Sequence, residues 1–203
     1  MRITVESLRD ALVGHLGSVL TPEACAAIVC AAIDREDRAI DPARFAPETR
    51  GTLTFAVESF RDVLEELKPL HAAHFLETER HLAGFKLAPD YDYMAERERM
   101  GALLQFTARD EAGALVGNLR MYVNRSLHTG ELFAQEDTFY LSPPARRGRN
   151  AINFLRYTEG MLRDVVGVTE IRANTKVVNG THKLLAFMGY EHVANEFIKI
   201  IRR

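Results

Sequence analysis

The stretch beginning at Leu132 constrains the fold most. Leu132 to Leu141 reads as a strand, Pro143 and Pro144 stop it, and apolar Ile152, Leu155, Leu162 and Val166 then recur at the spacing of an amphipathic helix. The surrounding chain extends this strand-turn-helix pattern. Thr52 to Val57 alternates like a half-buried strand and leads into a helical segment from about Phe60, expected to break at Lys68-Pro69 and resume to about Ala83. Leu103 to Thr107 and Ala114 to Val123 read as an antiparallel hairpin around the turn Asp110-Glu111-Ala112-Gly113. Glu170 to Ala173 reads as a short strand, Thr181 to Met188 as a short helix ending at Gly189, and Glu191 to Ile201 as a final strand. The order β-α-α-β-β-β-α-β-α-β predicts an α/β fold built on a mixed sheet.

The 203 residues suffice for one domain plus an appendage. Hydrophobic residues at 47% and charged residues at 27% exclude a disordered chain and a disulfide-stapled miniprotein. A net charge of −2 argues against a general nucleic-acid binder, although it leaves room for a local basic patch. The first residues lack the long apolar run of a signal peptide, and no segment approaches a membrane span, so the expectation is a cytoplasmic protein with no membrane partner.

The composition shifts near residue 50, dividing the chain into an N-terminal helical extension, 1–50, and a larger domain, 51–203. Thr21-Pro22-Glu23 has the hydroxyl, proline and acid of a helix start, and Asp41 to Glu48, with two prolines, reads as a linker or loop. Cys25 and Cys30 fall in an Ala-rich helical stretch and are expected as buried thiols, with a reactive or disulfide role as the alternative.

The segment Leu141-Ser-Pro-Pro-Ala-Arg-Arg-Gly-Arg-Asn-Ala151 carries the chemistry. A turn with Gly148, Arg146, Arg147 and Arg149 that opens into a helix N-terminus presents backbone N–H groups, the positive end of the helix dipole and guanidinium forks suited to phosphate oxygens. The alternative is a solvated basic turn.

This segment resembles the acyl-CoA-binding motif of the GNAT superfamily of N-acetyltransferases, R/Q-x-x-G-x-G/A. Arg146 holds the first position and Ala151 the last; Arg149 stands where the family has Gly, and the glycine has moved to Gly148. The element order from Thr52 to Ile201, the strand Phe133 to Leu141, and Asn179 followed by Met188-Gly189-Tyr190 extend the resemblance over about three quarters of the chain. It implies a GNAT-like, mostly antiparallel central sheet flanked by helices. It also implies acetyl-CoA as cosubstrate, no metal, and transfer of the acetyl group to a primary amine by direct attack.

By that resemblance Arg146, Arg147, Gly148, Arg149, Asn150 and Ala151 cradle the pyrophosphate, backbone near Tyr140 and Leu141 holds the pantetheine arm, and Asn179 belongs to the cofactor site. An alkylamine with a pKa near about 10.4 is mostly protonated at neutral pH, so a base is useful. Glu136 and Asp137 are the candidates, with water as a third. Strand alternation sends the two acids to opposite faces, and Glu136, on the face expected for Thr138 and Tyr140, is preferred. Aligning on Gly189 places Leu185 where the family has a tyrosine acid for the leaving thiolate, which leaves solvent, Tyr140 or His182 for that task.

Other groupings are weaker. His71, His74 and His81 could share a helical face, but no Cys or acid cluster completes a metal set. Asp90 to Glu98 mixes aromatics and acids that could recruit a cationic amine; the alternative is a solvated loop entering a helix. The acceptor is a small-molecule or peptide amine of open identity, no nucleic-acid partner is expected, and the oligomeric state, a dimer included, is open. The competing function is a non-catalytic CoA-binding or partner-binding protein on the same fold.

Overall fold

The computed structural model of the chain describes residues 5–35, 39–78, 84–176, 180–199 and 201. Two helices open it, α1 (Val5–Val13) and α2 (Pro22–Arg35), followed by a short strand pair, β1 (Glu48–Arg50) and β2 (Leu53–Val57). Helices α3 (Phe60–Thr78) and α4 (Tyr91–Arg99) lead into β3 (Leu103–Arg109), β4 (Leu115–Arg125) and β5 (Leu132–Leu141). Helix α5 (Asn150–Met161), β6 (Glu170–Arg172) and α6 (Thr181–Phe187) complete the order. The six strands form one sheet in chain order, antiparallel from β1 to β5, with β6 parallel to β5.

The two faces of the sheet differ in chemistry. On one, alternate residues Leu53, Phe55 and Val57, then Leu104, Phe106 and Ala108, then Leu119, Met121 and Val123 bury against Phe154, Leu155 and Tyr157 of α5. Phe55 stacks on Phe154 with ring centroids 5.1 Å apart. On the other face, beneath α3 and α4, most buried residues are polar, Gln105, Thr107, Asn118, Arg120 and Thr138, with Leu103 and Tyr140 among them. Phe60, Val63, Leu67 and Ala95 form a smaller apolar cluster there.

Several expected elements take a different form. Helix α3 runs through Pro69 without a break. The ring removes one N–H from the helix, but Phe60, Val63, Leu67, Leu70 and His71 make a buried stripe on both sides of it, and that packing outweighs the lost bond. The residues read as a linker are anchored: Asp41 caps a single turn over Pro42–Arg44, Phe45 enters the main core, and the Tyr157 hydroxyl donates to the Ala46 carbonyl at 3.2 Å. β1 joins the sheet as well, and α1 and α2 close around Ala11, Ile28 and Ala32.

Thr21 caps α2 as expected, its Oγ1 accepting from the Ala24 N–H at 3.2 Å. Cys25 and Cys30 are exposed free thiols, because α2 turns Ile28 and Ala32 inward and both cysteines away. Helix α5 passes directly into a π-type turn at Leu162–Val166 that ends on left-handed Gly167. At the C-terminal end, the expected final strand does not form among the described residues of 191–201, which make no ladder with β6. Phe197-Ile198-Lys199-Ile200-Ile201 does not alternate, so no face is specified for it in a sheet. No helix among the described residues is long and apolar enough to cross a membrane.

Candidate active site

Strands β5 and β6 pair only at Phe133–Glu170, Ala134–Ile171 and Gln135–Arg172. β6 then ends while β5 continues to Leu141, and the two chain paths open around a cleft of ≈ 280 Å³. Glu136, Asp137 and Phe139 of β5 form one wall, and residues 173–176 after β6 form the other. Leu155 of α5, Leu185 of α6, and His74 and Thr78 of α3 also line it.

A β-bulge organises the β5 wall. Arg120 of β4 opposes Thr138, but its neighbour Met121 opposes Glu136, so Asp137 is an extra residue. The bulge overturns the simple alternation expected from sequence. Thr138 and Tyr140 follow Arg120 and Asn118 onto the face under α3, whereas Glu136 pairs with Met121 on the α5 face. Both acids nevertheless line the cleft.

Their surroundings separate them. Asp137 is bound to the buried Arg120, whose Nη2 lies 2.6 Å from Oδ2 and whose Nε donates to the same oxygen at 2.8 Å. The Thr138 hydroxyl donates to that oxygen as well, at 3.0 Å. Arg120 Nη1 in turn approaches His71 Nε2 at 3.4 Å. Because a guanidinium only donates, Nε2 is the acceptor and the ring proton sits on Nδ1, facing the Tyr91 hydroxyl at 3.4 Å. Burial, reinforced by the Arg120 charge, pushes the His71 imidazole down to about 4.

Glu136 is held differently, with the Lys176 charge acting on it from the opposite wall. Its Oε2 accepts from the backbone N–H of Asn174 at 3.2 Å, across the mouth of the cleft. Burial of the carboxyl pushes it up to about 7; the Asn174 bond works against the shift and the Asp137 charge adds to it. A carboxyl poised near neutrality in a cleft is suited to taking a proton at physiological pH.

At the other end of β5 lies the arginine turn. Gly148 takes a left-handed φ of 56°, and Arg147 and Arg149 are exposed beside the first turn of α5. Among the described residues no backbone oxygen accepts from the N–H of Ala151 or Ile152, as expected for a helix start. The Asn150 side chain is buried and donates to the Ala145 carbonyl at 3.0 Å, holding the turn closed.

Arg146 is engaged within the protein. Nη1 and Nη2 each lie 2.7 Å from a carboxylate oxygen of Glu77 on α3, Nε donates to the Leu141 carbonyl at 2.7 Å, and the group lies 5.1 Å from the Tyr140 ring centre. It staples α3 to the end of β5, and it occupies a Leu141 carbonyl expected to face the pantetheine arm. Tyr140 is buried, with its ring edge-to-face to His74 at 5.8 Å.

Leu185 does line the cleft where a tyrosine was missing, whereas His182 is exposed on the first turn of α6 and does not line it. Asn179 and His81 lie outside the described residues. The acids of Asp90–Glu98 serve structure: Asp90 caps α4 by accepting from the Tyr93 N–H at 2.9 Å, and Glu98 accepts from the Phe60 N–H at 2.7 Å.

Sequence reasoning did not place His74 and Thr78 in the cleft, nor the buried Arg120 behind Asp137. The spacing of His71, His74 and Thr78 on one helical stripe was the available signal. It pointed to a shared face, though not to what the face meets.

No protein-family model and no curated protein matches the chain. Solved structures do. The chain is similar to a ribosomal-protein-alanine N-acetyltransferase from Brucella melitensis biovar Abortus 2308 at 20% identity and a TM-score of 0.54, over 74% of this chain and 99% of that one. It is also similar to an aminoglycoside acetyltransferase from an uncultured soil metagenomic sample, in complex with sisomicin, at 16% identity and a TM-score of 0.58, over 74% and 97%. A third match is AAC(6')-Iy in complex with the bisubstrate analog CoA-S-monomethyl-acetylneamine, at 15% identity and a TM-score of 0.54, over 75% and 100%. These likenesses show that the chain has the GNAT fold.

Proposed function

We propose, from the GNAT fold and the geometry of its cleft, that this chain is an acetyl-CoA-dependent N-acetyltransferase acting on a primary amine. One observation carries the reading: a buried carboxyl pushed to about 7, Glu136, stands where β5 and β6 part, and an arginine-flanked helix N-terminus stands at the far end of the same strand. The N-terminal turn of α5, with Arg147 and Arg149, takes the pyrophosphate. Arg146 contributes by fixing the turn. The β5 edge beyond Gln135, where β6 no longer pairs with it, aligns the pantetheine arm, and Glu136 accepts the proton of the attacking amine while the two substrates are held in line.

Asp137 is the weaker base candidate, because Arg120 and Thr138 already engage one of its oxygens. The acceptor belongs to the small-molecule or peptide amines. Structural neighbours include enzymes named for aminoglycosides and for a ribosomal-protein alanine.

Calorimetric titration with acetyl-CoA, followed by thiol release over an amine panel, tests the reading. Saturable binding with amine-dependent release is expected. Binding without release from any amine favours the non-catalytic alternative, and no binding at high micromolar acetyl-CoA sinks both.

A further inference from the structure

We propose that His74 is the proton donor to the sulfur that departs when the acetyl group is transferred, and that Thr78 orients its ring. This inference rests on the acetyl-transfer reading and adds a residue to it.

The need arises from the cleft itself. An alkyl thiolate is a strong base and leaves more readily when it is protonated as the C–S bond breaks. Leu185 is apolar, and His182 lies away from the cleft. Among the described cleft-lining side chains, His74 is the one imidazole.

Its place in the cleft matches the task. Along β5 the arginine turn follows Leu141, Tyr140 packs on both the Arg146 guanidinium and the His74 ring, and Glu136 and Asp137 come earlier on the strand. His74 therefore sits between the phosphate end and the two acids. In a bound thioester the sulfur is on the phosphate side of the reacting carbon and the amine approaches from the other. The base at Glu136 and the donor at His74 fall on the corresponding sides.

Thr78 fixes the ring. Its hydroxyl donates to the His74 carbonyl at 2.9 Å, which uses its single hydrogen. The contact of the same oxygen with His74 Nε2 at 3.2 Å therefore has the ring N–H as donor. His74 and Thr78 are one helical turn apart, so α3 itself sets this geometry.

The step balances. The amine nitrogen bonds to the thioester carbon and its proton passes to the Glu136 carboxylate. The C–S bond breaks with its electron pair on sulfur. Nε2–H stays on the Thr78 oxygen, so the Nδ1–H bond of the His74 imidazolium breaks, an S–H bond forms, and neutral imidazole remains. Solvent then takes the proton from Glu136 and returns one to His74.

The test compares acetyl-CoA with its selenoester analogue, in which selenium replaces the thioester sulfur. The binding handle is unchanged, but a selenolate is a weaker base and leaves without a proton. His74→Gln is expected to lower kcat about 100-fold with acetyl-CoA and less than about 5-fold with the selenoester, with KM for either donor little changed. Thr78→Val, which leaves the ring in place, is expected to give a smaller loss with the same donor dependence, and Thr78→Ser to restore the rate. An equal loss with both donors, or no loss with acetyl-CoA, overturns the proposal. If the unaltered chain turns over neither donor with any amine, the acetyl-transfer reading itself fails, and this inference with it.

Discussion

Arg120 Nη2 lies 2.6 Å from Asp137 Oδ2, at the residue that the bulge inserts into β5. The contact assigns different work to adjacent acids, Asp137 holding a buried guanidinium and Glu136 facing the cleft with a backbone N–H on Oε2. Glu136→Gln should lower kcat by about 100-fold with little change in stability attributable to lost partners. Asp137→Asn should leave more of the rate and destabilise the fold by about 1–3 kcal/mol, because Arg120 stays buried with a weaker partner. Paired turnover and urea-melt measurements separate the two. A larger catalytic loss in the Asp137 variant would exchange the assignments.

The position of Glu136 also fixes the shape of the pH–rate profile. A base works deprotonated, so the acidic limb of kcat should rise as pH increases through about 7, where burial places this carboxyl. Glu136→Gln should abolish that acidic limb. The same shift acts on stability with a definite sign. Between the ordinary carboxylate value of 4.5 and about 7 the folded chain binds a proton that the unfolded chain does not, so this group makes the fold less stable as pH rises through that window. The stability difference between wild type and the Gln variant, followed from pH 4.5 to 8 by thermal melting, reads this contribution directly.

His71 acts in the opposite direction. Its imidazole is held down to about 4 against an ordinary value of 6.5, so between these values the unfolded chain binds the extra proton and stability falls as pH falls. His71→Gln, which can still accept from Arg120, should lose less stability than wild type between pH 6.5 and 4. Melting curves across that range check the difference; parallel curves would remove His71 from the acid response.

The three arginines of the turn should separate by experiment. Arg147 and Arg149 are exposed, and replacing either with Ala should weaken acetyl-CoA binding by about 2–5-fold, an effect that shrinks in high salt. Arg146→Ala removes the Glu77 pair and the bond to the Leu141 carbonyl, so its main effect should be a lowered melting temperature. Titration at two salt concentrations together with a melt distinguishes a ligand contact from a staple.

The local signals located most of this fold. The strand over Leu132–Leu141 and the start of α5 at Asn150 fall where the sequence places them, since prolines, glycines and apolar periodicity are local properties. What escaped is tertiary. The bulge at Asp137 appears only when β4 is set against β5, and it separates Glu136 from Thr138 and Tyr140, which alternation had put on one face. Pro69 reads as a breaker because its cost is local, while the packing of Leu67 and Leu70 that outweighs it is not. Arg146 was legible as a cation beside a phosphate turn, but Glu77 lies 69 residues away and had no signal linking it to that turn. His74 was visible as part of a helical stripe, and only the fold shows that the stripe meets the cleft.

Gly117 gives the last prediction, because it lies where β4 passes the end of β5. It pairs with Leu141, and a Cβ built there would fall 2.3 Å from Leu141 Cδ2, 3.0 Å from the Tyr140 carbonyl oxygen and 3.3 Å from Ala108 Cβ. The leucine tip can rotate away, but the carbonyl and the Ala108 methyl belong to the paired backbone and the packed core. Gly117→Ala should therefore displace β5 at Tyr140 and Leu141 and cost about 1–3 kcal/mol. The displacement falls between the arginine turn and the cleft acids, so acetyl-CoA affinity should drop even at temperatures where the variant is fully folded. Loss of affinity with an unchanged melting temperature would mean that the sheet absorbs the methyl by moving β5. A lowered melting temperature with unchanged affinity would mean that the core yields and β5 stays in place.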